Sequence, residues 1–202
     1  MLDRRLVFTI ATYVAGLVIA NAIAAKLIHV GPAVVTAGAL AYPLTYVLQD
    51  VLNETLHREE ARDVVWGAFL GAVLLAVYTH IAVELPAAPG GATDTAYGAV
   101  FGVTGRVVAG SLLAFLIGGL VDVRIFAFLR RATRGKHLWL RKIVSTLVSQ
   151  GLDSAIFVAV AFAGVLPLEV CVSMALWQYL LKQVLAIVSL PVSYAWLRWL
   201  DL

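Results

Sequence analysis

Three runs of twenty residues carry no charged side chain: Leu6–Ala25, Val30–Gln49 and Val64–Val83. At about 1.5 Å per residue, a helix of that length crosses a hydrocarbon core of about 30 Å. Water-soluble helices need a polar face to turn outward, and these runs have none. The rest of the chain agrees. Of its 202 residues 62% are hydrophobic and 13% are charged, against about 25% charged in a soluble domain. The mean hydropathy is +0.94. The sequence therefore reads as an integral membrane protein, which excludes a soluble enzyme, a secreted disulfide scaffold and a disordered tail.

The expected fold is all-α: a polytopic membrane protein, a six-transmembrane-helix bundle forming a single membrane domain over residues 1–202. The predicted spans are about 6–28, 34–54, 64–84, 100–123, 143–165 and 170–199. Pro191 is expected to kink the last one. Ala22-Ile23-Ala24 after an apolar run looks like a signal cleavage site, but the uncharged core exceeds the ~7–15 residues of a signal peptide, so it reads as the first span. Basic residues occupy alternate loops. Arg4 and Arg5 precede the first span, Arg58 and Arg62 follow the second, and Arg198 lies near the end. Arg124, Arg130, Arg131, Arg134, Lys136, Arg141 and Lys142 gather after the fourth, whereas the stretch 85–99 has no Lys or Arg. Positive residues collect on the cytoplasmic side, so both termini are expected there. The same rule accounts for the net charge of +3 without invoking nucleic acid. Asp122 with Ile125-Phe126, and Asp153 with Ile156-Phe157, form a short echo between the fourth and fifth spans, a pattern that repeats in transporters also produce.

Charges inside a span cost several kcal/mol unless they are paired or functional. From the predicted helix entries, Asp153 lies ~15 Å deep and Lys182 ~18 Å deep, entering from opposite sides. Opposite charges thus arrive at one level on consecutive helices. Gln150 precedes Asp153 by three residues and Gln178 precedes Lys182 by four, so each amide shares a face with its charge. These four residues form the expected central cluster. Asn21, Lys26 and Arg106 occupy outer positions, while Asp50, Asn53 and Glu54 lie toward the cytoplasmic end of the second span. Tyr42, Tyr46, Trp177 and Tyr179 offer flat faces for a planar ligand. Plainer roles stand beside these. Asp153 and Lys182 also suit a structural staple, Asp50 and Glu54 suit cytoplasmic water or a pair with Arg62, and Asp122 suits the membrane interface. The lone Cys171 excludes a disulfide framework. No HExxH, GxSxG, P-loop or Cys/His metal spacing occurs, so no cofactor, metal or catalytic residue is expected. Between the spans no water-soluble domain appears, which leaves an ion gradient or a separate subunit as the energy source.

Two stretches resemble a known family. Pro43-Leu44-Thr45-Tyr46, Asp50-Val51-Leu52-Asn53-Glu54 and Ala61-Arg62 are similar to the signature of the YhhQ/vitamin uptake transporter family. A second stretch agrees: Arg106, Gly110-Ser111-Leu112, Asp122, Thr133, Gly135-Lys136, Leu138-Trp139-Leu140-Arg141, Ser145-Thr146, Ser149-Gln150 and Asp153-Ser154. Asn21, Lys26 and Lys182 fall where that family's polar residues are expected. The chain departs from the pattern at Thr55-Leu56-His57 and at Gly118-Gly119. The resemblance implies import of queuosine precursors (7-cyano-7-deazaguanine, 7-aminomethyl-7-deazaguanine or queuine) across the cell membrane for salvage into tRNA modification. A deazaguanine edge presents two N–H donors that one carboxylate accepts as a pair. The substrate-binding set expected on this reading is Asn21, Asp50, Arg106, Gln150, Asp153, Trp177, Gln178 and Lys182, with Glu54, Arg62 and Asp122 as gating or structural residues. The partners are a small planar base and membrane lipid, without nucleic acid, and homo-oligomerisation stays open. The alternative is the substrate-binding subunit of an energy-coupling-factor transporter, where Ala11 and Ala15 form a small-xxx-small pair for coupling subunits.

Overall fold

The computed structural model describes residues 4–24, 26–30, 33–86, 88, 94–101 and 105–200. Its elements are α1 (Arg4–Ile23), β1 (Leu27–Val30), β2 (Ala33–Thr36), a 3-10 turn (Ala37–Ala41), α2 (Tyr42–Thr55), α3 (Arg58–Glu84), α4 (Asp94–Phe101), α5 (Gly105–Ala132), α6 (Leu138–Phe162) and α7 (Leu168–Trp199). Among the described residues, five helices are long and apolar enough to cross a membrane: α1, α3, α5 from Val107, α6 and α7. Their outward faces carry residues such as Leu70, Ile81, Phe128, Val184 and Val188. Apolar surface of that kind is stable only against lipid.

The second expected span is corrected. Residues 34–54 are not one helix. A two-stranded antiparallel hairpin pairs Leu27 with Thr36 and Val30 with Ala33, and α1 stops at Ile23 rather than at 28. The physical reason is local. Ile28, Val30, Val34, Val35 and Thr36 are β-branched around Gly31-Pro32, a composition that favours strands and a turn over a helix. Helix resumes at α2, with Pro43 in its first turn, where a missing N–H costs nothing. Other ends shift as well. Residues 94–101 form their own short helix, α5 runs nine residues past the expected 123, and α6 starts five residues before 143. At the head of α3, the His57 N–H donates to Glu60 Oε2 at 2.9 Å, which closes one of the open donors of the first turn.

Three sets of contacts fix how the chain runs. A Cβ on Gly71 of α3 would meet Val18 and Val14 of α1, and Leu56, Ala61 and Val65 share one cluster with Leu6 and Ile10. α1 and α3 are therefore parallel neighbours, and residues 24–57 carry the chain back from the end of α1 to the level of its start. The Arg5 guanidinium donates to the Trp199 carbonyl at 2.7 Å, and Trp196 Nε1 donates to Thr9 at 3.2 Å. The first and last helices thus begin and end at the same end of the bundle. α5 and α6 run antiparallel in close contact. Along α5, Gly110, Ala114 and Gly118 recur every fourth residue. A Cβ on Gly110 would stand 3.2 Å from the Phe157 carbonyl, and one on Gly118 would stand 3.3 Å from the Ser149 carbonyl. Small residues let these two backbones approach, as membrane helices commonly require.

Candidate functional site

A cavity of about 240 Å³ opens between α1, α2, α3, α4, α5, α6 and α7. Its volume is below the ~300–1,000 Å³ of drug-sized sites and suits a molecule of one or two rings. Hydrophobic side chains form most of the wall, among them Leu17, Phe101, Phe115 and Phe157. Into this space project Asn21 from α1, Tyr42, Tyr46 and Gln49 from α2, Ser111 from α5, Gln150 and Asp153 from α6, and Gln178 and Lys182 from α7. Lys182 Nζ donates to Asp153 Oδ2 in a direct ion pair. The same ammonium stands 5.5 Å from the Tyr42 ring centre, and Tyr42 stacks on Tyr46 at 5.7 Å with 26° between planes. Tyr46 OH donates to Gln150 Oε1 at 3.2 Å. On the far wall the Ser111 hydroxyl reaches Asn21 Oδ1 at 3.4 Å. The four expected central residues therefore do come together, with Asn21 and two tyrosines around them.

Below the cavity lies a second charged level. Lys142 Nζ is 2.6 Å from Asp50 Oδ2 and donates to the Ser189 and Ser193 hydroxyls at 2.9 Å each. Arg141 Nη2 donates to Glu54 Oε2 at 2.6 Å, and its guanidinium lies 5.5 Å from the Phe126 ring centre. Arg130 approaches Glu54 from the other side, at 4.0 Å. Arg141 and Lys142 are each 1% exposed, so their expected place in the basic loop after the fourth span is corrected. They sit in the first turns of α6, because that helix begins at Leu138. Asp50 and Glu54 do not face open water either. Arg62 pairs instead with its exposed neighbour Asp63 at 3.0 Å.

Asp122 sits between the two levels. It is buried, not interfacial as its expected place at a helix exit suggested, because α5 continues ten residues beyond it. Asn53 Nδ2 donates to Asp122 Oδ2 at 2.7 Å and Gln49 Nε2 at 3.2 Å, while the Ser149 hydroxyl donates to Oδ1 at 3.2 Å. Trp177 is corrected as a stacking face: it is 49% exposed on the outside of α7 and does not line the cavity. Tyr179 packs beside Gly151. Lys26 is exposed. Arg106 lies in the first turn of α5, and its side chain is outside the described residues. Asp50 is absent from the cavity wall.

The sequence reading missed Gln49, Arg141 and Lys142. A signal for Lys142 existed. Lys142, Ser145, Ser149 and Asp153 recur at helical spacing along α6, and Gln178, Lys182, Ser189 and Ser193 do so along α7. Each set is a polar stripe on one helix face.

Compared with known proteins, residues 36–196 match a family model described as "Putative vitamin uptake transporter". A curated protein of Bacillus subtilis (strain 168) named "Probable queuosine precursor transporter" is 37% identical over 137 residues, which cover 67% of this chain and 60% of that protein. The aligned part thus spans about 60% of that relative's length. No solved structure matches.

Proposed function

The chain belongs to the vitamin uptake transporter family, a multi-pass cell-membrane transporter rather than an enzyme, and from that premise we propose that it imports queuosine precursors for salvage into tRNA modification. The single observation that carries the substrate is the Asp153–Lys182 pair facing a cavity with two stacked tyrosines on its wall. A deazaguanine edge of two N–H groups suits the Asp153 carboxylate as a bidentate acceptor. Its carbonyl suits Lys182, and the Gln150 and Gln178 amides complete the edge. A flat base fits the Tyr42 and Tyr46 side of the cavity. The pair keeps both charges compensated while the site is empty, and each charge retains capacity for further hydrogen bonds.

On this reading the chain works as one membrane domain that crosses six times, α2 with the preceding 3-10 turn making the second passage. Support comes from parity. Five long helices with both chain ends at one end of the bundle need a sixth crossing, and residues 24–57 return the chain to the level at which α1 starts. Alternation of basic segments supports cytoplasmic ends. A cysteine at Ala92, in a Cys171→Ala background, should react with an impermeant thiol reagent from outside, and one at Thr133 should not. The reverse labelling would overturn the orientation.

Function is tested by uptake of labelled 7-cyano-7-deazaguanine and 7-aminomethyl-7-deazaguanine into cells that cannot synthesise either. Uptake that depends on this protein supports the reading; no uptake and no binding to the purified protein sinks it. Ala11 and Ala15 are exposed on α1, so the energy-coupling alternative keeps a docking face. Co-purification with an ATPase subunit would favour that alternative.

A further inference from the structure

Among the described residues, three carboxylates inside the bundle stand opposite a cation: the partly buried Asp153 opposite Lys182, the buried Asp50 opposite Lys142, and the partly buried Glu54 opposite Arg141 and Arg130. Asp122 is the exception. Among the described residues no Lys, Arg or His nitrogen pairs with it, and the side chains that donate to it are neutral: Asn53, Gln49 and Ser149, with the Ser145 hydroxyl beside them. An uncompensated charge in a low-dielectric interior is costly and is commonly relieved by taking up a proton. Its place is also particular. Gln49 lines the cavity and touches Asp122, while Asn53 touches Asp122 and adjoins Glu54 in sequence. Gly118, one turn earlier on α5, borders the cavity beside Asp153. The carboxylate thus links α2, α5 and α6 at the boundary between the ligand space and the inner charged level.

From this arrangement we propose that Asp122 is the proton-carrying group that couples import to proton entry. This rests on the transporter reading given above. A proton from external water adds to one carboxylate oxygen and makes a neutral acid. That removes the anion toward which Asn53, Gln49 and Ser149 donate, so the tie between α2 and the α5–α6 pair weakens. The new O–H needs an acceptor. Tyr13 on α1 is 1% exposed, its hydroxyl makes no hydrogen bond among the described residues, and it lies within electrostatic reach of both Asp122 and Asp50. The other titratable groups facing this position are Asp50 and Tyr46 on α2, and Lys142 on α6 is turned to Asp50. α3 presents the apolar Val65 to α5 at Gly119. Release of the proton to the cytoplasm restores the carboxylate and its neutral donors.

The test has two arms. In proteoliposomes, an inward proton gradient should drive accumulation of labelled 7-cyano-7-deazaguanine with acidification of trapped pyranine. Asp122→Asn should lose accumulation by about tenfold or more, within the range of coupling between two sites, while gradient-free exchange of the base persists. Asp122→Glu should restore accumulation, which a purely structural role would not predict. Accumulation by Asp122→Asn at the wild-type level, or accumulation driven by sodium and indifferent to protons, would overturn the proposal. The second arm needs no substrate. Acidifying the ligand-free protein should raise an infrared carboxylic-acid band that is absent from Asp122→Asn and kept in the exposed control Asp63→Asn. The same band in Asp122→Asn as in wild type would also overturn it. If wild type fails to exchange the base, the substrate assignment falls, and the infrared arm still decides Asp122.

Discussion

The upper ion pair, Asp153–Lys182, and the lower one, Asp50–Lys142, use the same two side-chain types on neighbouring helices, yet their surroundings differ. At the upper pair the Asp153 side chain is 18% exposed and the Lys182 side chain 8%, both on the cavity wall. Gln150, Gln178 and Tyr46 stand around it, and their hydrogen-bonding capacity is only partly used. At the lower pair the values are 5% and 2%, and the Lys142 ammonium has three oxygen partners, Asp50, Ser189 and Ser193. An ammonium has three donors, so nothing remains for a ligand. Ionic pairing by itself does not mark a binding site. The difference lies in whether polar capacity is left over beside a space large enough to use it.

The strongest challenge to this contrast is Lys142→Met, which strands Asp50 in a buried position. Loss of one partner of a buried pair costs about 3–5 kcal/mol, so the purified protein should lose much of its thermal stability. Adding Asp50→Leu should recover most of it. A single variant that melts like wild type would show that the lower level is not a structural latch.

Next in size are Asp153→Asn and Lys182→Met. Each should abolish uptake while protein remains in the membrane, and should weaken binding of the base by at least tenfold, about 1.4 kcal/mol. If the upper pair were only a staple, replacing both residues by apolar ones of similar size would leave uptake normal, and that result would erase the distinction between the levels.

Glu54→Gln sharpens the comparison from below. The gating role expected of Glu54 predicts that uptake falls about fivefold, a typical coupling magnitude, while the dissociation constant of the base stays unchanged. A matching loss of affinity would move Glu54 into the ligand site. The smallest expected effect is at Trp177→Ala. A half-exposed side chain outside the cavity should shift binding and stability by no more than about 0.5 kcal/mol, measured by calorimetry and melting. A loss of binding there would mean that the base stacks outside the cavity described.

Legibility varied with the physics of each segment. The cluster of Gln150, Asp153, Gln178 and Lys182 was readable because spacings of three and four residues place side chains on one helix face, and depth follows from a constant rise. The second span was less legible: uncharged length alone suits a helix, while the β-branched residues around Gly31-Pro32 favour a hairpin. Arg141 and Lys142 carry the pattern of loop cations, because basic residues near a span end usually lie in loops. Asp122 was legible in hindsight: it continues the every-fourth-residue line of Gly110, Ala114 and Gly118, so it had to enter the α5–α6 contact.

The sequence by itself determined that this chain lives in a membrane, which segments are apolar enough to cross it, and which polar groups lie at similar depth. It could not determine how each helix is rotated about its own axis. In water the polar face of a helix announces its outside, but in lipid both outside and interior are apolar, so the pattern carries less information. That rotation was decided by close packing, chiefly where Gly110 and Gly118 let α5 settle against α6. Packing turned Trp177 outward and Asp122 inward. It also chose Lys142 for Asp50, Arg141 for Glu54, and Lys182 for the one carboxylate of these pairs that faces the cavity.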